Sequence, residues 1–284
     1  KSIEVISLYG KKRKISNEDI EGIDVIVFDI QDVGVRFYTY LSTLHYAMEA
    51  SSRTNKKIII LDRPNPNSFY IDGPVLEIEN SSFIGLHPVP IVYGMTIGEY
   101  GRMINGEGWL ENKTKANLEV IRIKNYNHNL KYEPPVRPSP NLPNLQSIYL
   151  YPSLAFLEKT EVSIGRGTKI QFQIYGHPNF ISDFSFTPMP NFGSQYPKLN
   201  GKLSFGEDLR NYKTKDKIEL KWLIKSYNQI SDKTKFFRSD FDKLSGTSNL
   251  KKQIIEGVSE SLIRESWKDG LEKFKKIREK YLLY

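Results

Sequence analysis

The sequence contains no cysteine and no long hydrophobic run. The absence of cysteine excludes disulfide bonds, thiolate metal sites and a cysteine nucleophile. No apolar segment approaches the roughly 18 residues that a membrane-spanning helix needs, so we expect no stable membrane insertion. The chain has only 4 histidines, and no histidine or carboxylate cluster has the spacing of a metal site. We therefore expect neither a metal nor a cofactor.

Glycine-rich phosphate-binding motifs are also missing. The turn after the first predicted strand, from Tyr9 to Lys12, has a single glycine, whereas P-loops and dinucleotide-binding turns need several. A nucleotide-dependent enzyme remains an alternative that this turn does not favour. The chain also lacks the Gly-x-Ser-x-Gly elbow of many serine hydrolases.

The net charge of +8 comes from 41 Lys and Arg against 33 Asp and Glu. A basic balance can indicate nucleic acid, a membrane surface or an acidic polymer as partner. The lysines are scattered, with short runs such as the one from Lys11 to Lys14. We interpret most of them as solvated surface and expect no nucleic-acid partner.

The first half of the chain alternates predicted strands and helices. Residues 24–29 and 57–62 are apolar runs that each end in a carboxylate, a pattern typical of strands buried on both faces. A helical stripe over 36–53 separates them, which makes a βαβ crossover and predicts a parallel sheet. A strand is also predicted over 118–124, and a helix over 94–105 with a capping box from Thr96 to Glu99.

A proline-rich connector divides the chain. Five prolines lie within 133–143, and each removes an amide donor and fixes a φ angle. We predict a Rossmann-like α/β domain over 1–134, incomplete at its N-terminus because 3–9 already has a strand pattern, and a smaller α+β domain over 135–284. The second domain is predicted to hold helices over 148–157, 218–228, 254–259 and 261–281, a strand over 172–175, and loops with brief strands over 177–216.

Ligands of open parallel sheets bind at the carboxyl ends of the strands. After the first of the two apolar strands, Asp29, Gln31, Asp32 and Arg36 fall within eight residues. These side chains can hold a polyhydroxyl ligand, and Arg36 can pair with an acidic group on it. The structural alternative is that Asp32 caps the following helix while Asp29 pairs internally with Arg36.

Two further segments carry candidate ligand-binding side chains. Asp62, Arg63 and Asn65 follow the next strand and are braced by two prolines, which leaves little entropy to lose on binding; the alternative is a rigid connecting turn. Beyond Glu158, the 165–167 turn suits close backbone approach to a ligand and presents Arg166 to an anion. His177 can donate to a sugar or transfer a proton, or it is a satisfied structural histidine.

The longer segments that hold these residues resemble the NamZ family, formerly a domain of unknown function. The matching segments run in the same order over nearly the whole chain: 27–40, 61–66, 72–74, 94–99, 138–143, 151–168 and 266–284. The resemblance implies an exo-β-N-acetylmuramidase of peptidoglycan turnover that removes terminal N-acetylmuramic acid from the non-reducing end. It also implies a site in the cleft between a Rossmann-like domain and a smaller domain, and a periplasmic or otherwise extracytoplasmic location.

Hydrolysis of a glycosidic bond usually needs a proton donor, plus a base or a nucleophile on the other face of the sugar. The 2-acetamido group can serve as the nucleophile when a carboxylate orients it. The catalytic candidates are Asp29, Asp32, Glu158 and His177. The candidates for substrate binding, with arginines facing the anionic lactyl group, are Gln31, Arg36, Asp62, Arg63, Asn65, Asn141 and Arg166.

The family resemblance also implies a Ser-Pro-Glu-His-Gly-Phe-Arg-Gly type motif before the point where this chain begins, and its Glu is a candidate catalytic acid. Two interpretations follow. A protein that carries the motif is an active glycosidase, whereas a chain that lacks it is a non-catalytic module that binds muropeptide sugars.

Overall fold

The first part of the molecule is built on a three-stranded parallel sheet. The computed structural model describes residues 3, 5–8, 10 and 12–284. The sheet has the order β1-β2-β3, and Ile58 of the central strand pairs with Ile26 on one side and Leu118 on the other. Its elements are β1 (Val25–Phe28), α1 (Tyr40–Thr54), β2 (Lys57–Leu61), α2 (Ile97–Gly106) and β3 (Asn117–Ile121). The predicted βαβ crossover and parallel sheet are confirmed.

Hydrogen bonds of the preceding residues explain where the two helices of this part begin. Thr96 accepts from the amide of Glu99 at 3.2 Å and Glu99 accepts from the amide of Thr96 at 2.9 Å, so the predicted capping box is confirmed. Helix α1 starts later than its apolar stripe predicted. Val35 forms an antiparallel bridge with Val92, and the amide of Arg36 donates to Ile91, so this segment pairs with another chain segment and cannot be helical.

The sheet is covered on one face only. Helices α1 and α2 pack on the face that carries Phe28, Ile58 and Ile60, which are buried. On the other face Val25 is 39% exposed and Val27 56% exposed. The prediction that this strand is buried on both faces is therefore wrong, because no helix of the described chain covers the second face.

The second part combines an antiparallel sheet with helices. The sheet has the order β4-β6-β5. The elements are α3 (Leu145–Leu154), β4 (Ile174–His177), β5 (Phe184–Phe186), β6 (Ser204–Asp208), α4 (Lys221–Gln229), α5 (Phe241–Ser245), α6 (Asn249–Ile255), α7 (Glu260–Glu265) and α8 (Lys268–Glu279). Short 3-10 helices lie at Glu18–Ile20, Ile78–Asn80, Glu111–Lys113 and Ala155–Lys159. A part with a parallel sheet, followed by a mixed part with a smaller antiparallel sheet, agrees with the predicted fold class.

Several predicted boundaries are wrong. Helix α6 ends at Ile255, and Gly257 follows with a φ of +72°, so 254–259 is mostly not helical. The pattern over 261–281 covers two helices, α7 and α8. Ser259 caps the first of them by accepting from the amide of Leu262. The short helix α5 was not predicted. Residues 3 and 5–8 form no strand, while Glu4, Tyr9 and Lys11 lie outside the described residues.

The two parts share their hydrophobic cores. Val33, Val35 and Phe37, which follow β1, belong to the core that the second part builds. Conversely, Phe274 of α8 is buried in the core beneath the parallel sheet. The loop after β1 is thereby fixed against the second part of the chain. In the portion of the chain that the structure describes, no helix has the length and apolar character needed to cross a membrane. The division into domains at residue 134 stays a prediction.

Candidate functional site

An accessible ion pair lies at the carboxyl end of the parallel sheet. Asp29 follows β1, Arg63 follows β2, and their neighbouring strands bring them together. One carboxylate oxygen of Asp29 accepts from Nε of Arg63 at 2.7 Å and from its Nη2 at 2.6 Å. The side chains are 44% and 39% exposed respectively. The alternative in which Asp29 pairs with Arg36 is therefore wrong, and both charged groups remain within reach of a ligand.

Asp32 lies inside the protein and is only 3% exposed. Its Oδ2 accepts from the amide of Gly34 at 2.6 Å and from the hydroxyl of Tyr93, whereas Oδ1 has no partner. Burial raises the pKa of this carboxyl to about 6, against the hydrogen bonds from Tyr93 and Gly34. The N-cap of α1 is Thr39, so the alternative in which Asp32 caps that helix is wrong.

Arg36 binds the protein's own backbone. It is 1% exposed, and Nη1 donates to the carbonyls of Pro74 and Val89 at 3.0 and 2.7 Å. Nη2 donates to Leu244 at 3.3 Å and Ser245 at 2.7 Å, in α5. Burial lowers the pKa of the guanidinium to about 9. The side chain ties the loop after β1 to α5, and we withdraw it from the candidates for substrate binding.

Gln31 and Asn65 hold the two strand-end loops together. The Gln31 amide donates to the carbonyls of Asp32 and Pro64 at 2.7 and 2.8 Å. Asn65 is 2% exposed, and its amide donates to the carbonyl of Met95. Gly34 has a φ of +76°, and a Cβ there would lie 2.2 Å from Oδ1 of Asn65. The side-chain amides of Gln31 and Asn65 therefore hold the conformations of these loops by binding backbone carbonyls.

The carboxylate of Asp62 is hydrogen-bonded to the N-terminal end of α2 and to Tyr284. It accepts from the Thr96 hydroxyl at 2.7 Å, the Gly98 amide at 2.8 Å and the Tyr284 hydroxyl at 2.7 Å. Burial raises the pKa of its carboxyl. The amide of Arg63 donates to the same carboxylate at 3.0 Å. Four donors therefore already occupy this candidate substrate-binding group.

A second accessible ion pair joins Glu158 to Arg166. Nε of Arg166 donates to Oε1 of Glu158 at 2.5 Å, and the side chains are 32% and 24% exposed. Gly165 and Gly167 have φ angles of +77° and +82°, a conformation that favours glycine, and so the turn presents Arg166 between them. The guanidinium lies over the ring of Phe172, with 5.1 Å to the centroid.

Lys198 holds the segment that carries Glu158. Its ammonium donates to four backbone carbonyls between 2.6 and 3.2 Å, those of Leu157, Glu158, Thr160 and Val162. Burial lowers its pKa to about 8. The sequence around Lys198 gives no sign of this role, because the four carbonyls lie 36 to 41 residues away.

A row of aromatic rings connects the loop after β1 with the Arg166 turn. The ring of Tyr38 lies 4.9 Å from that of Tyr40 and 6.1 Å from that of Tyr151. Tyr151 in turn lies 4.8 Å from Phe172, the ring beneath Arg166. We call Tyr40, Tyr38, Tyr151 and Phe172 the aromatic row. Through the aromatic row, the predicted segment after β1 and the predicted Arg166 turn are in contact with one connected set of rings.

A cavity of about 570 Å³ opens at the end of this row. That volume is within the range of small-molecule sites, about 300 to 1,000 Å³. Ile30, which follows Asp29, and Tyr40 both line it. Its full lining is Ile6, Leu8, Gly10, Arg13, Ile30, Thr39, Tyr40, Thr43 and Phe83.

His177 and Asn141 have different surroundings. His177 is half-buried at the end of β4, accepts from the amide of Asn179 at 3.2 Å, and has a pKa lowered by burial. It lines a separate basic cavity of about 380 Å³ with Lys202 and Arg238. Asn141 is buried and donates to the carbonyl of Gly193 at 2.7 Å. Within the described ranges, no group of three or more His, Asp or Glu side chains is placed to hold a metal ion.

Comparison with known proteins decides the family. Models described as "Exo-beta-N-acetylmuramidase NamZ, N-terminal" and "C-terminal" match residues 1–146 and 149–284. The chain belongs to the NamZ family. This confirms the resemblance seen in the sequence and makes this NamZ chain a glycosidase by membership.

Relatives of this NamZ chain include a curated enzyme and two solved structures. The peptidoglycan beta-N-acetylmuramidase NamZ of Bacillus subtilis (strain 168) is 37% identical over a 307-residue alignment that covers 99% of this chain and 72% of the relative. A DUF1343 family protein of Bacteroides fragilis NCTC 9343 is 44% identical, with a TM-score of 0.93, over 95% of this chain and 78% of its own. A second one from the same organism is 27% identical, with a TM-score of 0.83, and the coverages are 98% and 79%.

Proposed function

We propose that this chain is an exo-acting β-N-acetylmuramidase that releases terminal N-acetylmuramic acid from the non-reducing end of peptidoglycan fragments. Family membership over the whole chain supports the reaction class, since the Bacillus relative is named for that activity. The observation that carries the choice of sugar is the accessible Arg166, presented by a glycine-flanked turn beside the aromatic row. N-acetylmuramic acid differs from N-acetylglucosamine by an anionic lactyl group, and a guanidinium is a strong partner for a carboxylate.

Asp29 and Glu158 are the two accessible carboxylates among the catalytic candidates, and each lies in an ion pair with an arginine. A carboxylate in a glycosidase site can orient the 2-acetamido group or act as a base. We assign Glu158 to this role and Arg166 to the lactyl carboxylate. The Asp29–Arg63 pair lies at the carboxyl end of the parallel sheet.

The test is the release of 4-nitrophenol from its β-N-acetylmuramide and from the matching β-N-acetylglucosaminide. We expect the wild-type protein to prefer the muramide, and Glu158→Gln to lower kcat by about a hundredfold or more, the range of general acid–base contributions. Arg166→Met should raise KM for the muramide and abolish the preference between the two sugars.

Matched controls are Asp208→Asn and Arg210→Met, because these two residues form an exposed ion pair elsewhere on the protein. They should leave both rates unchanged. Absence of nitrophenol release by the wild-type protein, with muramic acid still bound in a titration, would establish a sugar-binding module instead.

We also propose that the sugar lies between the two predicted domains and that the protein acts outside the cytoplasm. The aromatic row supports the first point, because it joins residues from both sides of residue 134. The location of peptidoglycan supports the second. Cell fractionation with an antibody against the protein tests it, and recovery in the cytoplasmic fraction alone contradicts it.

A further inference from the structure

Two aromatic side chains project into solvent from one loop. Phe192 is 88% exposed and Tyr196 is 93% exposed. Every other Phe, Tyr and Trp among the described residues is at least partly buried. Large apolar side chains that are exposed close together can mark a binding surface. Two exposed rings within five residues of one loop are therefore a candidate surface for a ligand.

The loop that carries the two rings is fixed to the Arg166 turn. The amide of Met189 donates to the carbonyl of Gly167 at 2.9 Å. The side-chain amide of Asn191 donates to the carbonyl of Thr168 at 3.0 Å. Both acceptors immediately follow Arg166 in the chain. The rings are thus held in place beside the candidate site, and little backbone entropy remains to be lost when a ligand binds.

A second anchor connects the same loop to the aromatic row. Asn141 donates to the carbonyl of Gly193, the residue after Phe192, at 2.7 Å. Pro138, in the same short segment as Asn141, accepts a 2.7 Å hydrogen bond from the hydroxyl of Tyr38. The loop that carries the exposed rings is therefore hydrogen-bonded both to the Arg166 turn and to the segment that contacts Tyr38.

The composition of the loop indicates what kind of ligand it fits. Residues 189–197 contain no charged side chain, although charged residues make up 26% of the chain. A nucleic acid or an acidic peptide would need cations here. A neutral pyranose needs an aromatic face for its apolar C–H surface and uncharged polar groups for its hydroxyls. Ser194 and Gln195, between the two rings, supply such groups.

We propose that Phe192 and Tyr196 form a stacking surface for the aglycone side of the substrate, that is for the neutral N-acetylglucosamine unit next to the terminal muramic acid. This inference rests on the proposed function. It makes the two rings determinants of substrate length: they contribute to the binding of glycan fragments and contribute nothing to a substrate with a minimal aglycone.

The experiment compares Phe192→Ala, Tyr196→Ala and the double variant on two substrates. One is methyl β-N-acetylmuramide, and the other is an oligosaccharide of alternating muramic acid and N-acetylglucosamine with muramic acid at its non-reducing end. Each alanine variant should raise KM for the oligosaccharide by about three- to tenfold, the size expected for one aromatic contact. Rates on the methyl glycoside should stay within a factor of two. Tyr196→Phe, which keeps the ring, should retain at least half of the wild-type affinity for the oligosaccharide.

The control is Ile181→Ala, because Ile181 is 94% exposed on a different loop of the same part. It should change neither substrate's KM. Equal losses on both substrates would overturn the proposal in favour of a loop that only supports the Arg166 turn. Unchanged kinetics would also overturn it, and a shift from dimer to monomer in sedimentation would then identify the rings as a contact between copies of the chain.

A binding measurement separates this inference from the proposed reaction. Calorimetric titration with N-acetylglucosamine tetrasaccharide requires no hydrolysis. Weaker binding by the double variant than by wild type supports the stacking surface even where no substrate is cleaved. Equal binding by both proteins contradicts it, whatever the enzyme assay shows.

Discussion

Replacing Arg36 with methionine tests whether this arginine belongs to the frame of the protein or to its ligand site. Its guanidinium makes four hydrogen bonds to backbone carbonyls, two of them at 2.7 Å. A hydrogen bond to a charged group contributes about 1.5 to 3 kcal/mol, and the contributions of neighbours are not additive. Removal also takes a donor away from these buried carbonyls, although that of Val89 keeps the amide of Leu76. We expect Arg36→Met to lower the free energy of unfolding by about 3 to 5 kcal/mol.

The measurement is urea denaturation followed by circular dichroism and by aromatic fluorescence. A loss of this size should lower Tm by roughly 10 °C in a chain of this length. Arg36→Lys keeps the charge but lacks the planar guanidinium. Its free energy of unfolding should therefore lie between those of the wild type and Arg36→Met. The control Arg210→Met removes an exposed arginine and should unfold at the same urea concentration as the wild type.

The kinetic readout decides between the two roles. If Arg36 is a structural tie, Arg36→Lys assayed well below its Tm keeps KM for the muramide within about twofold of wild type. If Arg36→Met retained full stability while KM rose tenfold, the guanidinium would have to reach the sugar and our structural assignment would be wrong.

Three further substitutions test buried positions in the loops around the candidate site. The raised pKa of Asp32 means that this group stabilises the fold below pH 4 and that its contribution is lost as the pH rises to about 6. Asp32→Asn should therefore remove that pH dependence from urea midpoints measured between pH 4.5 and 7.5, and should raise stability at pH 7.5 by up to about 3 kcal/mol. Gly34→Ala should cost about 3 kcal/mol in the same assay, from the positive φ and the contact with Asn65. Lys198→Met should loosen the Glu158 segment and lower kcat/KM by about tenfold to a hundredfold in the nitrophenyl assay; an unchanged value would show that four carbonyl contacts do not position Glu158.

Local patterns predicted the first part of the chain well because its elements depend on near neighbours. The capping box joins Thr96 to Glu99, only three residues further along the chain, and the apolar runs of β1 and β2 predict two strands. The same runs did not reveal that one face of β1 is open. An apolar strand has the same sequence whether one or two layers cover it, so the exposure of Val27 depends on where the helices pack.

The long-range partners of the site residues were harder to predict than the secondary-structure elements that carry them. Asp29 lies close to Arg36 in the sequence, yet the parallel pairing of β1 with β2 places Arg63 beside it. The true partners of Arg36 include Leu244 and Ser245, which are 208 and 209 residues away. Glu158 lies in the segment 151–168, which the sequence analysis singled out. Its support by Lys198 comes from a loop with no periodic pattern.

The burial of the predicted site residues separates those that shape the loops from those that can reach a ligand. Asp32, Arg36 and Asn65 are buried and bonded largely to backbone groups, so they set the shapes of loops. The charged groups that stay accessible are those of the two ion pairs, and of these the Arg166 pair is the one that adjoins the exposed rings of Phe192 and Tyr196. An anionic sugar followed by a neutral N-acetylglucosamine unit suits a cation next to an aromatic surface. Among the described residues, Arg166 lies over an aromatic ring and Arg63 does not. Under the proposed function Arg166 therefore selects the terminal sugar, whereas the Asp29–Arg63 pair joins the loops that follow β1 and β2.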